Sequence, residues 1–302
     1  MFNTTITTKL FGLMGKPLGQ SAAPFMHNSV YQKLGIDALY IPIELEMEDF
    51  GPAIENMTRL RFAGAGVTMP FKTVVHEYLD ELAESAIFTE VVNTVEVTAD
   101  GRKIGHNTDG QGFALALEQQ LGLSIPEHSY LLLGSGGAGT AVACALAAKG
   151  ARSIRSLCIA QDYHLAENLL NKVNAHFPGV CKITEMTEET IKQSLDEFDV
   201  VIHATKVGMY PKCDEILFDT DLLAPHHIVC DVVHIPVKTK LLQEAERRGC
   251  RTMPGLWMNV NQAALQMKIW LGLDDPPVDF MYNGNVDFLK SQGKYHAQIS
   301  QK

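Results

Sequence analysis

"YLLLGSGGAGTAVACALAAKG", residues 130–150, decides the fold. The apolar run "YLLL" reads as a buried strand, and the small-residue run "TAVACALAA" reads as a helix packed closely on it. Between them Gly134, Gly136 and Gly139 stand in G-x-G-x-x-G spacing, with Ser135, Gly137 and Ala138 filling the remaining positions. The first glycine permits a tight turn, the second lets the backbone approach a pyrophosphate, and the third allows close helix–strand packing. The helix N-terminus adds unpaired N–H groups and the positive end of its dipole. Strand, loop and helix together predict a dinucleotide site. Asp162 follows the next apolar run, "SIRSLCIA", at the distance where a carboxylate can accept hydrogen bonds from the adenosine ribose. Taken alone it also reads as the N-cap of the next helix. "AQDYHLAEN" (160–168) contains no Arg or Lys to hold a 2′-phosphate, so the expected cofactor is NAD in preference to NADP.

Outward from this loop, strand-length apolar runs alternate with helical segments in both directions. Downstream come "CKITEM", "DVVIHAT" and "HIVCDVV". Upstream come "KLFGLMG" (9–15), "ALYIPIEL" (38–45) and "FAGAGVT" (62–68), with helical spacing over 24–34 and 48–60. "VVNTVEV" and "KIGHN", joined by a Gly-containing turn, predict a hairpin. Pro70 suits the first position of a further helix, whose first turn would carry Lys72. The fold class is therefore α/β with two domains, an N-terminal α/β substrate domain and a Rossmann-type doubly wound parallel sheet. Residues 1–108 are expected to form the substrate-binding and catalytic domain, with the C-terminal segment 255–302 packing back on it, and 109–254 the NAD-binding domain.

Composition excludes several classes of partner. The formal charge of −10 over 302 residues, with no basic tract, argues against nucleic acid. No apolar stretch approaches membrane-spanning length. The six cysteines are widely spaced, with no CxxC pair, and read as buried thiols of a reducing compartment, so a cytoplasmic protein is expected.

"GAGVTMPFKTV" (64–74) carries one ammonium in a run of small and apolar residues. A lone lysine is most often a solvated charge. Thr68 and Lys72, however, follow the C-terminal end of an expected parallel strand, where open α/β sheets bind ligands. "VVNT" (91–94) and "GHNTDGQG" (105–112) add Asn93 and Asp109 in similar settings. Each alone could tie a turn or cap a helix.

Taken in order, these segments resemble the shikimate/quinate dehydrogenase family. "GKPLGQSAAPFMHN" (15–28) is similar to its substrate loop, "VTMPFK" (67–72) to its catalytic-lysine motif, and "VVNT" and "NTDGQG" to the segments bearing its Asn and catalytic Asp. "GSGGAG" resembles its cofactor loop, and "GLWMNVNQAALQMKIWLG" (255–272) its closing helix. The resemblance implies NAD-linked, reversible oxidation of one ring hydroxyl of a carboxylated polyhydroxy ring of the shikimate or quinate type. Lys72 and Asp109 would be the proton-handling pair. Ser21, Thr68, Asn93, Gln262 and His234 would hold the substrate, and Thr205, Val207 and Gly255 would join the glycine loop and Asp162 around the cofactor. Desolvation would favour the neutral amine of such a lysine and a neighbouring carboxylate the ammonium. A homodimer is common in that family.

The match has gaps. The family's S-x-S or S-x-T is "SAAP" here, with Ala23 in the second place, so one carboxylate donor is lost, worth about 1.5–3 kcal/mol unless Gln20 replaces it. Gly66 stands where asparagine is frequent and is expected to open room beside the ring. His203 and Lys206 stand where Asn and Ser are common, and His234 replaces a tyrosine. Both histidines read as ordinary strand-end residues, and no metal is expected. Two other functions stay open: a non-catalytic NAD-binding regulator, and a dehydrogenase of a different hydroxy acid related to quinate.

Overall fold

The computed structural model describes residues 4–19 and 21–295, so Gln20 lies outside the described residues. The chain divides into two compact units. One comprises the residues through Thr108 with Gln262–Asn285, the other Asp109–Asn261 with the residues from Val286 onward.

In the first unit β1 (Lys9–Gly15) lies between β2 (Ala38–Glu44) and β3 (Phe62–Val67), parallel to both. β3 pairs antiparallel with β5 (Thr94–Val97), β5 forms the expected hairpin with β6 (Lys103–His106), and β4 (Glu81–Leu82) completes the order β2-β1-β3-β5-β6-β4. The helices are α1 (Ala23–Leu34), α2 (Met47–Asn56) and the short α3 (Glu84–Ile87). Phe50 of α2 stacks on Phe71 with centroids 4.1 Å apart, and both are buried with Ile54, Val67 and Val75.

That stack decides the local structure at Lys72. The expected α-helix from Pro70 is instead a 3-10 turn, Phe71–Thr73, followed by a second at Val75–Tyr78. Thr73, Val74 and Val75 are β-branched and lose side-chain freedom in an α-helix. Burying both Phe71 and Val75 decides the path of the chain, and Lys72 is carried between them.

The second unit carries β7 (Ser129–Leu133), β8 (Ser153–Cys158), β9 (Cys181–Glu185), β10 (Val200–His203), β11 (Ile228–Asp231) and β12 (Arg251–Met253), all parallel. Their order is β12-β11-β10-β7-β8-β9. Strand order reverses at β7, which makes the crevice beyond the ends of β7 and β10 the natural ligand site of such a sheet. Its helices are α4 (Asp109–Leu121), α5 (Gly137–Ala148), α6 (Tyr163–His176), α7 (Glu188–Glu197) and α8 (Lys240–Arg247). Two helices run through the division of the chain, α9 (Gly255–Leu271) and α10 (Val278–Ser291). Leu131, Leu133, Leu157, Val201, Val229 and Leu242 form this unit's core.

Within the first unit, Trp270 near the end of α9 stacks on Phe11 at 4.9 Å and donates its indole N–H to the Val95 carbonyl at 3.0 Å. A side chain at Gly64 would collide with that indole. Gln262, Gln266 and Trp270 fall at i, i+4 and i+8 on one helix face, so anchoring Trp270 on the sheet brings both glutamines to it.

Candidate active site

In the first unit four separated segments are tied together by backbone hydrogen bonds. Val92 N–H donates to the Lys72 carbonyl at 2.9 Å, Val67 N–H to the Asn93 carbonyl at 2.8 Å, Asn93 N–H to the His106 carbonyl at 3.1 Å, and Thr68 N–H to the Met14 carbonyl at 2.9 Å. Lys72 and Thr68 are half-buried. The loop after β1 packs on Thr68 so closely that a Cβ on Gly15 would collide with its methyl group. Ser21 accepts the Ala23 N–H at 3.2 Å, which ties the start of α1.

Asn93 is buried at the junction of these segments. Its Oδ1 accepts from Thr108 N–H at 2.8 Å and from the Thr94 hydroxyl at 2.9 Å, and its Nδ2 donates to Thr108 Oγ1 at 2.8 Å and to Gln262 Oε1 at 3.3 Å. Two expected substrate residues, Asn93 and Gln262, are therefore in direct contact. Thr108 and Gln266 complete the junction and were not expected. Thr108 stands inside "NTDGQG", and Gln266 is one helical turn beyond Gln262, the spacing that could have found it. Gln266 Nε2 donates to Thr94 Oγ1 at 3.0 Å and to the Asn93 carbonyl at 3.4 Å. Its Oε1 lies 3.1 Å from His27 Nε2.

Gly66 opens no room. A Cβ there would fall 2.5 Å from Tyr40 Oη and 3.4 Å from Gln266 Nε2, so the space an asparagine would use is filled by these two side chains.

Asp109, His234 and the expected cofactor residues belong to the second unit. Asp109 is the first residue of α4 and half-buried. Gly134 has φ +109°, and a Cβ on it would lie 2.7 Å from Thr205 Cγ2. A Cβ on Gly139 would strike the Gly134 carbonyl, whereas around Gly136 and Gly137 nothing stands within 4 Å. That is the cradle a pyrophosphate needs: a left-handed turn, a close helix–strand approach, and open space before the first amides of α5. Ser135 Oγ holds the loop to Ser156 Oγ of β8 at 2.9 Å. Gly255 is confined in the same way, since a Cβ would lie 2.5 Å from the Val233 carbonyl, beside His234.

His203 is more than a strand-end residue. It is buried, its Nδ1 lies 3.0 Å from Asp231 Oδ1, and its Nε2 lies 2.5 Å from Thr205 Oγ1. Thr205 Oγ1 in turn accepts Val207 N–H at 3.1 Å, and the fully buried Asp231 accepts Val233 N–H at 2.8 Å and the Thr239 hydroxyl at 2.8 Å. The loop bearing Thr205 and Val207 thus hangs from an internal polar network. Asp162 lies on the exposed 3-10 turn Ala160–Asp162 between β8 and α6, and its side chain makes no capping hydrogen bond. Among the described residues no His, Cys, Asp and Glu group could hold a metal ion, and no helix is long and apolar enough to cross a membrane.

Known proteins match over nearly the whole chain. A family model described as the shikimate dehydrogenase substrate binding domain matches residues 13–95. Shikimate dehydrogenase (NADP(+)) of Alkaliphilus oremlandii is 38% identical over 92% of this chain and 96% of its own length. The Bacillus subtilis protein of the same name is 35% identical over 90% and 95%. Among solved structures, shikimate 5-dehydrogenase of Listeria monocytogenes in complex with shikimate and NAD is similar with TM-score 0.87, at 34% identity over 93% of this chain and 97% of that one.

The names of the two relatives overturn the expected preference for NAD over NADP. The expectation rested on one carboxylate and on missing cations at the end of β8. Asp162 is exposed, where water screens its charge and weakens any repulsion of a 2′-phosphate. A cation that offsets the phosphate need not come from that strand end.

Proposed function

The chain belongs to the shikimate dehydrogenase family, and from that membership we propose that it is an oxidoreductase of the shikimate or quinate type. It reversibly oxidises one ring hydroxyl of a carboxylated polyhydroxy ring, with NADP as the cofactor its relatives' names support. The observation that carries this reading is the Asn93–Thr108–Gln262 junction, which gathers three of the matched segments at one buried polar point in the first unit. The glycine cradle fits the pyrophosphate of a dinucleotide. When bound, the nicotinamide supplies the acceptor for the hydride that leaves the ring carbon.

The remaining work falls to the chain's own side chains. As a C–H bond is broken and a C=O bond forms, the hydroxyl proton must leave. In this reading Lys72 and Asp109 handle it, the amine as base or as the cation that stabilises developing alkoxide, with Asp109 or water carrying the proton away. Asn93 and Gln262 fix the direction of the ring oxygens, which sets the reacting carbon's approach. Thr68, Ser21 and His234 bind the rest of the substrate. Thr205, Val207, Gly255 and the glycine loop bind the cofactor, so 1–108 serves as the substrate domain and 109–254 as the cofactor domain. The six cysteines, all buried, support a reducing, cytoplasmic setting.

Lys72→Ala is expected to abolish turnover of shikimate and quinate while dinucleotide binding survives. Unchanged turnover in that variant would remove the catalytic assignment.

A further inference from the structure

We propose that Gln266, oriented by His27, is a positioning residue that locks the Asn93 carboxamide with its oxygen inward, so that Asn93 holds the Gln262 oxygen and Gln262 meets the ligand as a hydrogen-bond donor only. This rests on the reading of Gln262 as a substrate-binding residue.

Each group in the relay leaves the next one a single choice. Gln266 Nε2 faces the Asn93 carbonyl at 3.4 Å, which can only accept, so the amide nitrogen of Gln266 must stand there and its oxygen must face His27. His27 is fully buried, stacked on Tyr40 at 4.2 Å with the rings 3° apart. Burial drives its pKa down to about 3, although the Gln266 bond opposes this, so the ring is neutral and carries one N–H. That proton sits on Nε2, facing the Gln266 oxygen at 3.1 Å, while Nδ1 can accept from Tyr31 Oη at 3.4 Å.

The direction then passes to the site. Gln266 Nε2 donates to Thr94 Oγ1 at 3.0 Å, so the one hydroxyl proton of Thr94 is available for Asn93 Oδ1 at 2.9 Å. With Thr108 N–H at 2.8 Å as the second donor, both lone pairs of Oδ1 are used. The two N–H groups of Asn93 are then both directed, one to Thr108 Oγ1 at 2.8 Å and one to Gln262 Oε1 at 3.3 Å. With Oε1 engaged, Gln262 offers its own amide N–H groups. The ligand atom met by Gln262 is an acceptor: a ketone oxygen, or a hydroxyl through its lone pair. Gly66 is part of the device, because its missing side chain makes room for Tyr40 Oη and Gln266 Nε2.

The test is steady-state kinetics on the full-length protein with shikimate or quinate and NADP, for wild type, Gln266→Leu, Thr94→Val, Thr94→Ser and the double variant Gln266→Leu/Thr94→Val. Gln266→Leu and Thr94→Val should each raise the ring-substrate KM about tenfold, the equivalent of one hydrogen bond, with the dinucleotide KM little changed. Thr94→Ser, which keeps the hydroxyl, should restore the wild-type value. The double variant should be no worse than either single one, because both break the same relay. A ring-substrate KM at the wild-type value in Thr94→Val, or a parallel rise in both KM values, overturns the assignment even where Gln266→Leu fails to fold. A wild type inert toward both ring substrates overturns the proposed function itself, and this assignment with it.

Discussion

Replacing Asp231 by alanine probes the polar network of the second unit most sharply. Its two oxygens accept three bonds, from His203 Nδ1, Val233 N–H and the Thr239 hydroxyl, and the residue is fully buried. Alanine leaves three donors without an acceptor. An unsatisfied buried polar group costs about 1–3 kcal/mol, and water entering the vacated space recovers part of the sum, so the expected loss is about 3–5 kcal/mol. That is a large share of the roughly 5–15 kcal/mol by which a folded protein is stable. Asp231→Asn keeps one oxygen for His203 and Val233 and turns an amide toward Thr239, whose hydroxyl can reverse to accept, so about 1 kcal/mol is expected. His203 would also lose its orienting partner in the alanine variant, and Thr205 and Val207 with it, so the dinucleotide KM should rise. Urea unfolding of wild type and both variants, read with the dinucleotide KM, is the assay. An alanine variant within about 1 kcal/mol of wild type, or an asparagine variant as damaged as alanine, would refute the reasoning.

Two further outcomes follow from the first unit. Gly66→Asn, although it restores a residue frequent in the family, should destabilise by about 1–3 kcal/mol and lower the melting temperature, because its Cβ meets the buried Tyr40 hydroxyl. The neutral His27 should make stability fall with acid: its folded pKa of about 3 lies below the ordinary 6.5, so the unfolded chain binds the extra proton between those values. From pH 6.5 to 5 the loss should reach about 1.6 kcal/mol, because the linkage slope grows from half of about 1.4 kcal/mol per pH unit at 6.5 toward its full value at 5. Asp37 and Asp80, held low by the Thr8 hydroxyl and the Lys103 N–H respectively, weaken folding only below their ordinary 3.8, outside that window. Urea midpoints measured across it, flat in wild type or equally steep in His27→Phe, would count against the assignment.

Most of the frame was legible in the sequence because it depends on local pattern. "YLLLGSGGAGTAVACALAA" contains strand, turn and helix in chain order, and the glycines at 134 and 139 meet the constraints expected of them. The meeting of Asn93 with Gln262 was legible only through resemblance, since 169 residues separate them. Thr108 was missed because its importance depends on which atoms face which across a junction, a property no spacing rule encodes, whereas the i, i+4 spacing from Gln262 put Gln266 within reach. The same holds for His203, whose role depends on the buried Asp231 of the neighbouring strand. Propensity failed at Pro70, where burying Phe71 and Val75 overrode a helix start signal. Space was misjudged at Gly66, because an absent side chain signals a void only if no neighbour fills it. The cofactor preference failed because it was made to rest on one exposed carboxylate and on the missing cations beside it.

The most direct test of the central claim is reduction of NADP by the purified wild-type protein in the presence of shikimate or quinate, with Lys72→Ala beside it. Ring-substrate-dependent reduction in the wild type and none in the variant is the expected result. A wild type that binds the dinucleotide yet reduces none with either substrate would contradict the account and favour a regulator that senses the dinucleotide.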